Sequence, residues 1–303
     1  MSEYRVLLVE NASRLTISLG RLRIQRESHS DVYVLPSDIA VIVLHHPAIM
    51  ISSQALEQLA EKGAMVVLTN QQHLPSGLLL PWSAGTVLGI RLRQQIALNG
   101  SEHQLKLWAA IVSARIGTQA ANLRHLDRAG ALRLERLAAR VDPGDTANLE
   151  AQASKVYWAN LLPKNTHRIK QGATDPLNIR LNFGYAILRS LVAREIASAG
   201  LTAALGIGHH NQDNPYNLAD DLMEPYRFLV ERRVIGMDFK EDFGPPVRLA
   251  LAATVTDEVL LPGGNHRLPT AISETVASLC RCLAREANDL ILPVHRCRLM
   301  AGA

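Results

Sequence analysis

The hydrophobic pattern of the chain changes once, and this change constrains the fold more than any other feature. Up to about residue 85, apolar residues stand in short runs typical of strands and are separated by turn residues. From residue 86 onward they recur at helical spacing. The proline- and glycine-rich stretch 75–85 between the two patterns predicts a linker. We therefore predict an α+β protein with a small β-rich N-terminal domain, residues 1–85, and a larger all-helical C-terminal domain, residues 86–303.

The N-terminal domain shows the pattern of a half-buried sheet but suggests no chemistry. Between positions 21 and 26, arginines alternate with Leu22 and Ile24, which gives one basic face and one buried face. Gly20 marks a hairpin, and a serine-capped helix is predicted over 52–63. A dinucleotide-binding unit is disfavoured because no G-x-G-x-x-G loop is present. We expect this domain to pack against the rest of the chain or a second copy. The predicted strands span 4–10, 14–19, 21–26, 32–35, 39–44 and 64–69.

Composition excludes some classes of protein and leaves one question open. With 48% hydrophobic and 20% charged residues in 303, the chain is globular and not disordered. Aromatic residues make up only 4%, which argues against a protein that binds single strands by stacking bases. Arginine supplies 26 of the 32 basic residues, and its planar fork suits phosphate oxygens. A GC-rich genome would produce the same bias, so both explanations stay open.

The cysteines and the hydropathy pattern indicate where the protein resides. Cys280, Cys282 and Cys297 are odd in number and show no C-x-x-C spacing, which argues against a disulfide framework and a zinc ribbon. The N-terminus has no signal-peptide organisation, and no apolar run reaches the roughly 18 residues of a membrane span. We expect a soluble cytoplasmic protein that does not associate with membranes.

Two basic stretches are candidates for phosphate contacts. Residues 91–140 hold nine arginines and lysines against three acids, which fits either a solvated helix surface or a face for a phosphate backbone. The polar loop 165–180 and its border also carry an excess of positive charge, from Lys164, Arg168, Lys170 and Arg180. We expect this loop to contact the backbone of a nucleic acid.

A cluster of potential metal ligands lies between residues 200 and 227. A glycine-broken loop leads to His209 and His210, and a helix is predicted over 218–224. Asp221 and Glu224 stand three apart, so on a helix they share a face. An imidazole beside two carboxylates suits Mn²⁺ or Mg²⁺ better than structural zinc. A solvated acidic helix beside a loop histidine has the same pattern, so this cluster alone does not decide.

A further carboxylate opens a second predicted helix. Glu150 falls in its early turns, with Asp145 or Thr146 as the N-cap. The helix dipole also favours a carboxylate at this position, which is the structural alternative to a ligand role. The next helix is predicted from Asp175 to Gly200, followed by a loop over 239–246 and helical structure over 248–298.

Three segments in this order resemble one family. Residues 150–158, 175–185 and 206–227 are similar to the CRISPR-associated integrases, metal-dependent endonuclease-integrases that insert new spacers into CRISPR arrays. Residues 218–225 resemble the branch of the family that accompanies type II systems, through the sequence Leu-Ala-Asp-Asp-Leu-Met-Glu-Pro. The resemblance covers nearly the whole chain. It also implies a β-rich N-terminal and a helical C-terminal domain.

The resemblance implies that Glu150, His209 and Glu224 are the catalytic residues and the ligands of Mg²⁺ or Mn²⁺. His209 rather than His210 fits the family's pattern, and Asp221 matches a nearby acid that we expect to support the ligands. Relatives often carry a bulkier residue where Gly208 precedes the histidine, which questions the rigidity of this loop. Two asparagines, Asn178 and Asn182, also match the family, and we expect them to cap and brace helices.

The implied reaction joins DNA strands. The 3′-hydroxyl of a captured DNA fragment, the spacer precursor, would attack a phosphodiester at the border of the repeat array, with the cation polarising both groups. The resemblance also implies a homodimer and a four-subunit arrangement bridged by a small ferredoxin-like partner of the adaptation complex. Two alternatives remain: a free-standing metal-dependent DNA nuclease that does not integrate, and a non-catalytic DNA-binding subunit.

Overall fold

Strands at the N-terminus are followed by a largely helical region, so the predicted α+β class is confirmed. The computed structural model describes residues 5–69, 75–79, 87–170 and 172–294. The strands are β1 Arg5–Val9, β2 Arg14–Ser18, β3 Arg21–Gln25, β4 Val32–Val34, β5 Ile39–Leu44, β6 Met50–Ile51, β7 Met65–Thr69, β8 Pro75–Leu79, β9 Glu258–Leu261 and β10 Gly264–Arg267. The helices are α1 Ser53–Glu61, α2 Leu88–Leu98, α3 Glu102–His125, α4 Ala131–Ala138, α5 Leu149–Leu161, α6 Pro176–Ser198, α7 Asn217–Met223, α8 Arg227–Ile235, α9 Pro245–Ala252 and α10 Leu268–Leu283.

Two four-stranded sheets form the N-terminal region. The first has the order β1-β5-β7-β8, in which β8 alone runs antiparallel to its neighbour. The second has the order β4-β3-β2-β6, and its β2–β3 hairpin turns at Leu19 and Gly20. Both turn residues have positive φ, as a tight two-residue hairpin turn requires, so the predicted hairpin is confirmed.

Strand β5 belongs to two hydrophobic cores. Ile42 and Leu44 pack between the two sheets, in a cluster that includes Leu15 of β2. Val41 and Val43 point the other way, into a core formed with helix α6 and its neighbours. Because successive side chains of a strand point to opposite faces, one strand completes both cores. The helical region that carries the candidate site is thereby packed directly on the first sheet.

The predicted linker is partly wrong. Residues Pro75–Leu79 form strand β8 and pair with β7. A proline is compatible with this position because it is the first residue of a strand at the edge of the sheet. The remainder of the predicted linker, residues 80–85, lies outside the described residues. The division of the chain into domains at residue 85 stays a prediction.

The C-terminal region is not entirely helical. Strands β9 and β10 form an antiparallel hairpin that interrupts the helices predicted over 248–298. The turn residues Pro262 and Gly263 between them are the signal that the helical interpretation overlooked. The loop predicted over 239–246 ends earlier, because Pro245 and Pro246 occupy the first turn of α9, where proline is favoured.

Two further findings concern the environment of the chain. No helix in the described ranges is long and apolar enough to cross a membrane. Cys280 and Cys282 are buried free thiols in α10, and Cys297 lies outside the described residues.

Candidate active site

Glu150 lies in the first turn of α5, as predicted, but the helix is capped differently. The N-cap is Asn148, whose side chain accepts a hydrogen bond from the Ala151 N–H. Asp145 still contributes, since its carboxylate accepts hydrogen bonds from the N–H groups of Leu149 and Glu150 at 2.8 and 3.0 Å. The backbone at Glu150 is therefore fixed by a buried carboxylate placed before the helix.

The loop that carries His209 is held by Asp221, a fully buried residue of α7. The Asp221 Oδ2 atom accepts from the N–H groups of Ile207 and Gly208, at 2.5 and 3.0 Å. The Oδ1 atom accepts from the His209 N–H at 3.0 Å and from its ring Nδ1 at 2.6 Å. Because Nδ1 is engaged by a carboxylate, Nε2 is the nitrogen left for a ligand. This is the supporting role expected of Asp221.

Both glycines of this loop are required by close contacts. A Cβ atom at Gly208 would lie 2.3 Å from the ring of Trp108, and one at Gly206 would lie 2.2 Å from the His209 carbonyl oxygen. The Trp108 ring also meets the His209 ring edge to face at 5.8 Å. Because Gly208 has no side chain, the loop can pack tightly against Trp108 of α3. The loop is thus held by Trp108 as well as by Asp221.

His209 and His210 point into different surroundings. His210 is exposed, and its Nε2 atom lies 3.5 Å from Nε2 of Gln104, at the start of α3. The hydrogen bond to Asp221 raises the pKa of His209 against the effect of burial, and the charges of Glu224 and Glu150 add to this rise. His209 is thus the histidine that lies within electrostatic reach of the two carboxylates.

Glu224 occupies the short 3-10 turn Glu224–Tyr226 that follows α7, and its carboxylate is buried between two guanidinium groups. Its Oε2 atom lies 3.0 Å from Arg115 Nε and its Oε1 atom 3.1 Å from Arg227 Nη1. Burial acts to raise the pKa of Glu224, but the charges of Arg227 and Arg115 outweigh it and leave the pKa below its ordinary value. Glu224 is therefore ionised at neutral pH.

Glu150 differs because no described residue forms a hydrogen bond or ion pair with its carboxylate. Burial, and then the negative charge of Glu224, raise the pKa of Glu150. The structure thus brings Glu150, His209 and Glu224 close enough for their charges to act on one another. As the described side chains stand, no three of type His, Cys, Asp or Glu enclose a position for an ion. The donor types nevertheless fit Mg²⁺ or Mn²⁺, because they are two carboxylates and an imidazole with a free Nε2.

A layer of buried polar residues beneath Glu224 was not predicted. Arg115 of α3 was counted with the basic stretch 91–140, yet it is buried and contacts both Glu224 and Glu231. Tyr157 and Tyr185 each direct a hydroxyl group to Glu231. A signal existed in the sequence: Arg115 lies four residues after the buried Ile111, on the apolar side of its helix.

The predicted basic loop is only partly available to a ligand. Arg180 is fully buried and donates to the carbonyl oxygens of Asp238 and Glu241, so its assignment to substrate contact is wrong. The Arg168 guanidinium donates to Asn178 and Asn182, so these asparagines brace the loop against α6, whereas the cap of that helix is Asp175. Lys170 is exposed, and its charge helps to lower the pKa of Glu224. For Lys170 a phosphate contact stays a prediction.

Residues 6–242 match the family model described as CRISPR associated protein Cas1. The chain belongs to this family. It is 35% identical over 298 residues to the CRISPR-associated endonuclease Cas1 of Neisseria meningitidis serogroup C, and the alignment covers 96% of each chain. That relative comes from a type II system, so the predicted branch is confirmed.

Solved structures share the fold. A casposase bound to integration product superposes with a TM-score of 0.79 at 19% identity, covering 94% of this chain and 92% of the casposase chain. A chain of a Cas6-RT-Cas1–Cas2 complex superposes with a TM-score of 0.75 at 18% identity, covering 98% of this chain and 37% of its own length. The chain is therefore a member of the Cas1 family, in which its relatives are named endonucleases, and it shares its fold with a casposase.

Proposed function

We propose that this chain is a metal-dependent DNA endonuclease-integrase that inserts spacer DNA into a CRISPR array. The observation that supports the proposal is that Glu150, His209 and Glu224, from three separate segments, lie within electrostatic reach of one another. Two carboxylates influence each other there, and a histidine with a free Nε2 lies beside them. Such a set would bind Mg²⁺ or Mn²⁺ and leave coordination positions for other oxygens.

The residues of the chain divide the work. Glu150, His209 and Glu224 would hold the cation, which when bound polarises a phosphodiester and lowers the pKa of a hydroxyl group. Asp221 fixes the tautomer of His209 so that Nε2 faces the ligand side. Arg115 and Arg227 keep Glu224 ionised and oriented. The attacking group would be the 3′-hydroxyl of a DNA fragment and the target a phosphodiester at a repeat border.

The proposed partners follow from the same family. A casposase is known with its integration product and a Cas1 chain within a Cas1–Cas2 complex, which supports DNA and a Cas2 subunit as partners. The DNA would be the spacer precursor and the repeat array, and the second subunit would be the small ferredoxin-like partner. Exposed arginines such as Arg133, Arg136 and Arg140 would meet the phosphate backbone. The chain would act as a homodimer within this assembly.

The experiment compares Glu150→Ala with Glu102→Ala. Glu102 is the matched control because it is an exposed carboxylate in the first turn of α3, with the same relation to a helix dipole, and forms no hydrogen bond or ion pair with the candidate ligands. The assay supplies a labelled duplex with a free 3′-hydroxyl and a repeat-containing target, with Mn²⁺, Mg²⁺ or chelator. We expect Glu150→Ala to lose strand joining while circular dichroism and DNA binding stay near wild type. Glu102→Ala should stay active.

The outcomes separate the alternatives. Joining at a near wild-type rate by Glu150→Ala would refute the metal assignment. Cutting without joining by the wild type would favour a free-standing nuclease. DNA binding with no chelator-sensitive reaction in any variant would favour a non-catalytic binding subunit.

A further inference from the structure

Glu231 of α8 is a carboxylate with no exposure to solvent, and the proposed reaction does not use it. Its Oε1 atom lies 3.2 Å from Arg115 Nη1 and accepts from the Tyr185 hydroxyl at 2.8 Å. Its Oε2 atom accepts from the Tyr157 hydroxyl at 2.5 Å. Burying a carboxylate costs several kcal/mol before its partners compensate, and apolar residues of similar size are often as stable or more so. Stability alone therefore does not explain a glutamate here.

Arg115 links this carboxylate to the candidate site. The same guanidinium lies 3.0 Å from Glu224 Oε2 through Nε, while its Nη1 contacts Glu231 and donates to the Glu224 carbonyl oxygen at 3.1 Å. One positive charge is thus shared by two buried carboxylates. Three contacts fix the plane of the guanidinium, so its position relative to Glu224 depends on Glu231.

The hydrogen bonds beyond Glu231 have a fixed direction. Arg232 Nε donates to Asn122 Oδ1, and Asn122 Nδ2 donates to the Tyr157 oxygen at 2.9 and 2.7 Å. Since the Tyr157 oxygen accepts from Asn122, its own proton points to Glu231. Burial and the charge of Glu231 raise the pKa of both tyrosines, so they remain donors. Every polar group behind Glu231 therefore orients it towards Arg115.

We propose that Glu231 is a positioning residue for the cation: by sharing Arg115 it balances one of the two guanidinium charges beside Glu224 and helps to hold that carboxylate in place, so that Glu224 can bind a divalent ion. The inference rests on the proposed function. Without the Glu231 charge, the full positive charge of Arg115 would act on Glu224 in addition to that of Arg227, and the site would also lose one negative charge. Both changes act in the same direction and weaken cation binding. Loss of a residue that orients a metal ligand typically lowers metal affinity by about 10–100-fold.

The test measures Mn²⁺ affinity by calorimetry on the full chain without DNA, so that it does not depend on activity. Glu231→Gln keeps the shape of the side chain and removes its charge, and we expect Mn²⁺ binding to weaken by about 10–100-fold. The matched control is Glu10→Gln, which neutralises a partly buried carboxylate that is also paired with an arginine, Arg248 at 2.6 Å, and that forms no ion pair with the candidate ligands. Its Mn²⁺ affinity should equal that of wild type.

A second variant covers the case in which Glu231→Gln does not fold. Tyr185→Phe removes one hydroxyl donor from Glu231 but keeps the ring on which Arg168 and Arg227 stack. We expect a weaker but measurable loss of Mn²⁺ affinity. Wild-type affinity in both variants, or an equal loss in Glu10→Gln, would overturn the role of Glu231. Equal Mn²⁺ binding by wild type and Glu150→Ala would instead overturn the metal site itself, and this inference with it.

Discussion

Two interiors of this molecule are built from different side chains. Between the N-terminal sheets, the core consists of apolar residues such as Leu15, Ile42 and Leu59. Beneath the candidate site, the interior holds the charged residues Arg115 and Glu231. An apolar core depends on volume and shape and tolerates conservative exchange. A charged interior depends on complete partners, because removal of one group leaves another buried and uncompensated.

The difference indicates which interior serves folding and which serves a reaction. Packing of apolar side chains stabilises the sheets directly, through burial of surface. The charged layer is a poor source of stability but fixes Glu224 in position next to Glu150 and His209. Substitutions in the two regions should therefore have separable effects, on stability in one and on activity in the other.

The largest effect is expected from the two neighbouring histidines. His209→Ala should abolish metal-dependent strand joining or raise the Mn²⁺ requirement steeply, because it removes the imidazole whose charge acts on both carboxylates. His210→Ala should keep metal-dependent joining, since this ring is exposed beside Gln104. A Mn²⁺ titration of joining activity checks both variants. An inactive His210→Ala beside an active His209→Ala would reverse the ligand assignment.

In the apolar interior, Ile42→Ala should lower the free energy of unfolding by about 2–5 kcal/mol. Ile42 lies on an inner strand of the first sheet, and its truncation leaves a cavity in the core between the two sheets. The measurement is denaturant unfolding. Ile42→Val is the matched control and should lose only about 0.5–1.5 kcal/mol. Joining activity per folded molecule should stay near wild type in both variants. A loss of activity in either variant without a matching loss of stability would contradict the claim that the apolar interior serves stability alone.

A substitution in the histidine loop should affect both stability and activity, because the packing of this loop also positions His209. Gly208→Ala forces a Cβ into the Trp108 ring and should cost about 1–3 kcal/mol, with a loss of joining activity as His209 moves. Gly89→Ala is the control, since its Cβ would meet no atom within 4 Å on helix α2. Thermal unfolding and the joining assay are measured together. Full activity in Gly208→Ala would show that the contact with Trp108 does not position the histidine.

The smallest effect concerns the surface near the site. Lys170→Ala should weaken binding of unrelated DNA sequences and lower the log–log salt slope by about one unit if Lys170 contacts one phosphate. Lys62→Ala, an exposed lysine of the β-rich region, should leave the slope unchanged. Arg168→Ala combined with Lys170→Ala should weaken binding further, because Arg168 braces the loop that carries Lys170. A sequence-selective loss would mean that the loop reads bases.

Much of the fold could be predicted because it follows from side-chain periodicity. The alternation around Leu22 and Ile24, the Ser52 cap and the helix start at Asp175 all produced the expected elements. The positions of Glu150, His209 and Asp221 in their local elements were also expected, from a resemblance that spans short motifs.

What could not be predicted depends on distant contacts. A charged residue in a helix normally faces solvent, so the sequence predicts that Arg115 and Glu231 are surface residues. Only the structure shows that they contact each other between α3 and α8. The same holds for Arg180. Its burial is possible because two carbonyl oxygens of a later loop accept hydrogen bonds from its guanidinium group. The β9–β10 hairpin was missed because its strands are only four residues each and lie among helices.

The hydrogen bonds between Asp221 and the histidine loop have a consequence for how the sequences of this family can diverge. Three of its four hydrogen bonds come from main-chain N–H groups, which every residue except proline supplies. The placement of His209 is therefore largely independent of the side chains around it, apart from the two glycines. The neighbouring exposed stretch 210–213 is free to accumulate substitutions without moving the histidine. Mutation can thus remodel the rim of the candidate site, and with it the DNA preference of the proposed enzyme, while the position of His209 is inherited unchanged.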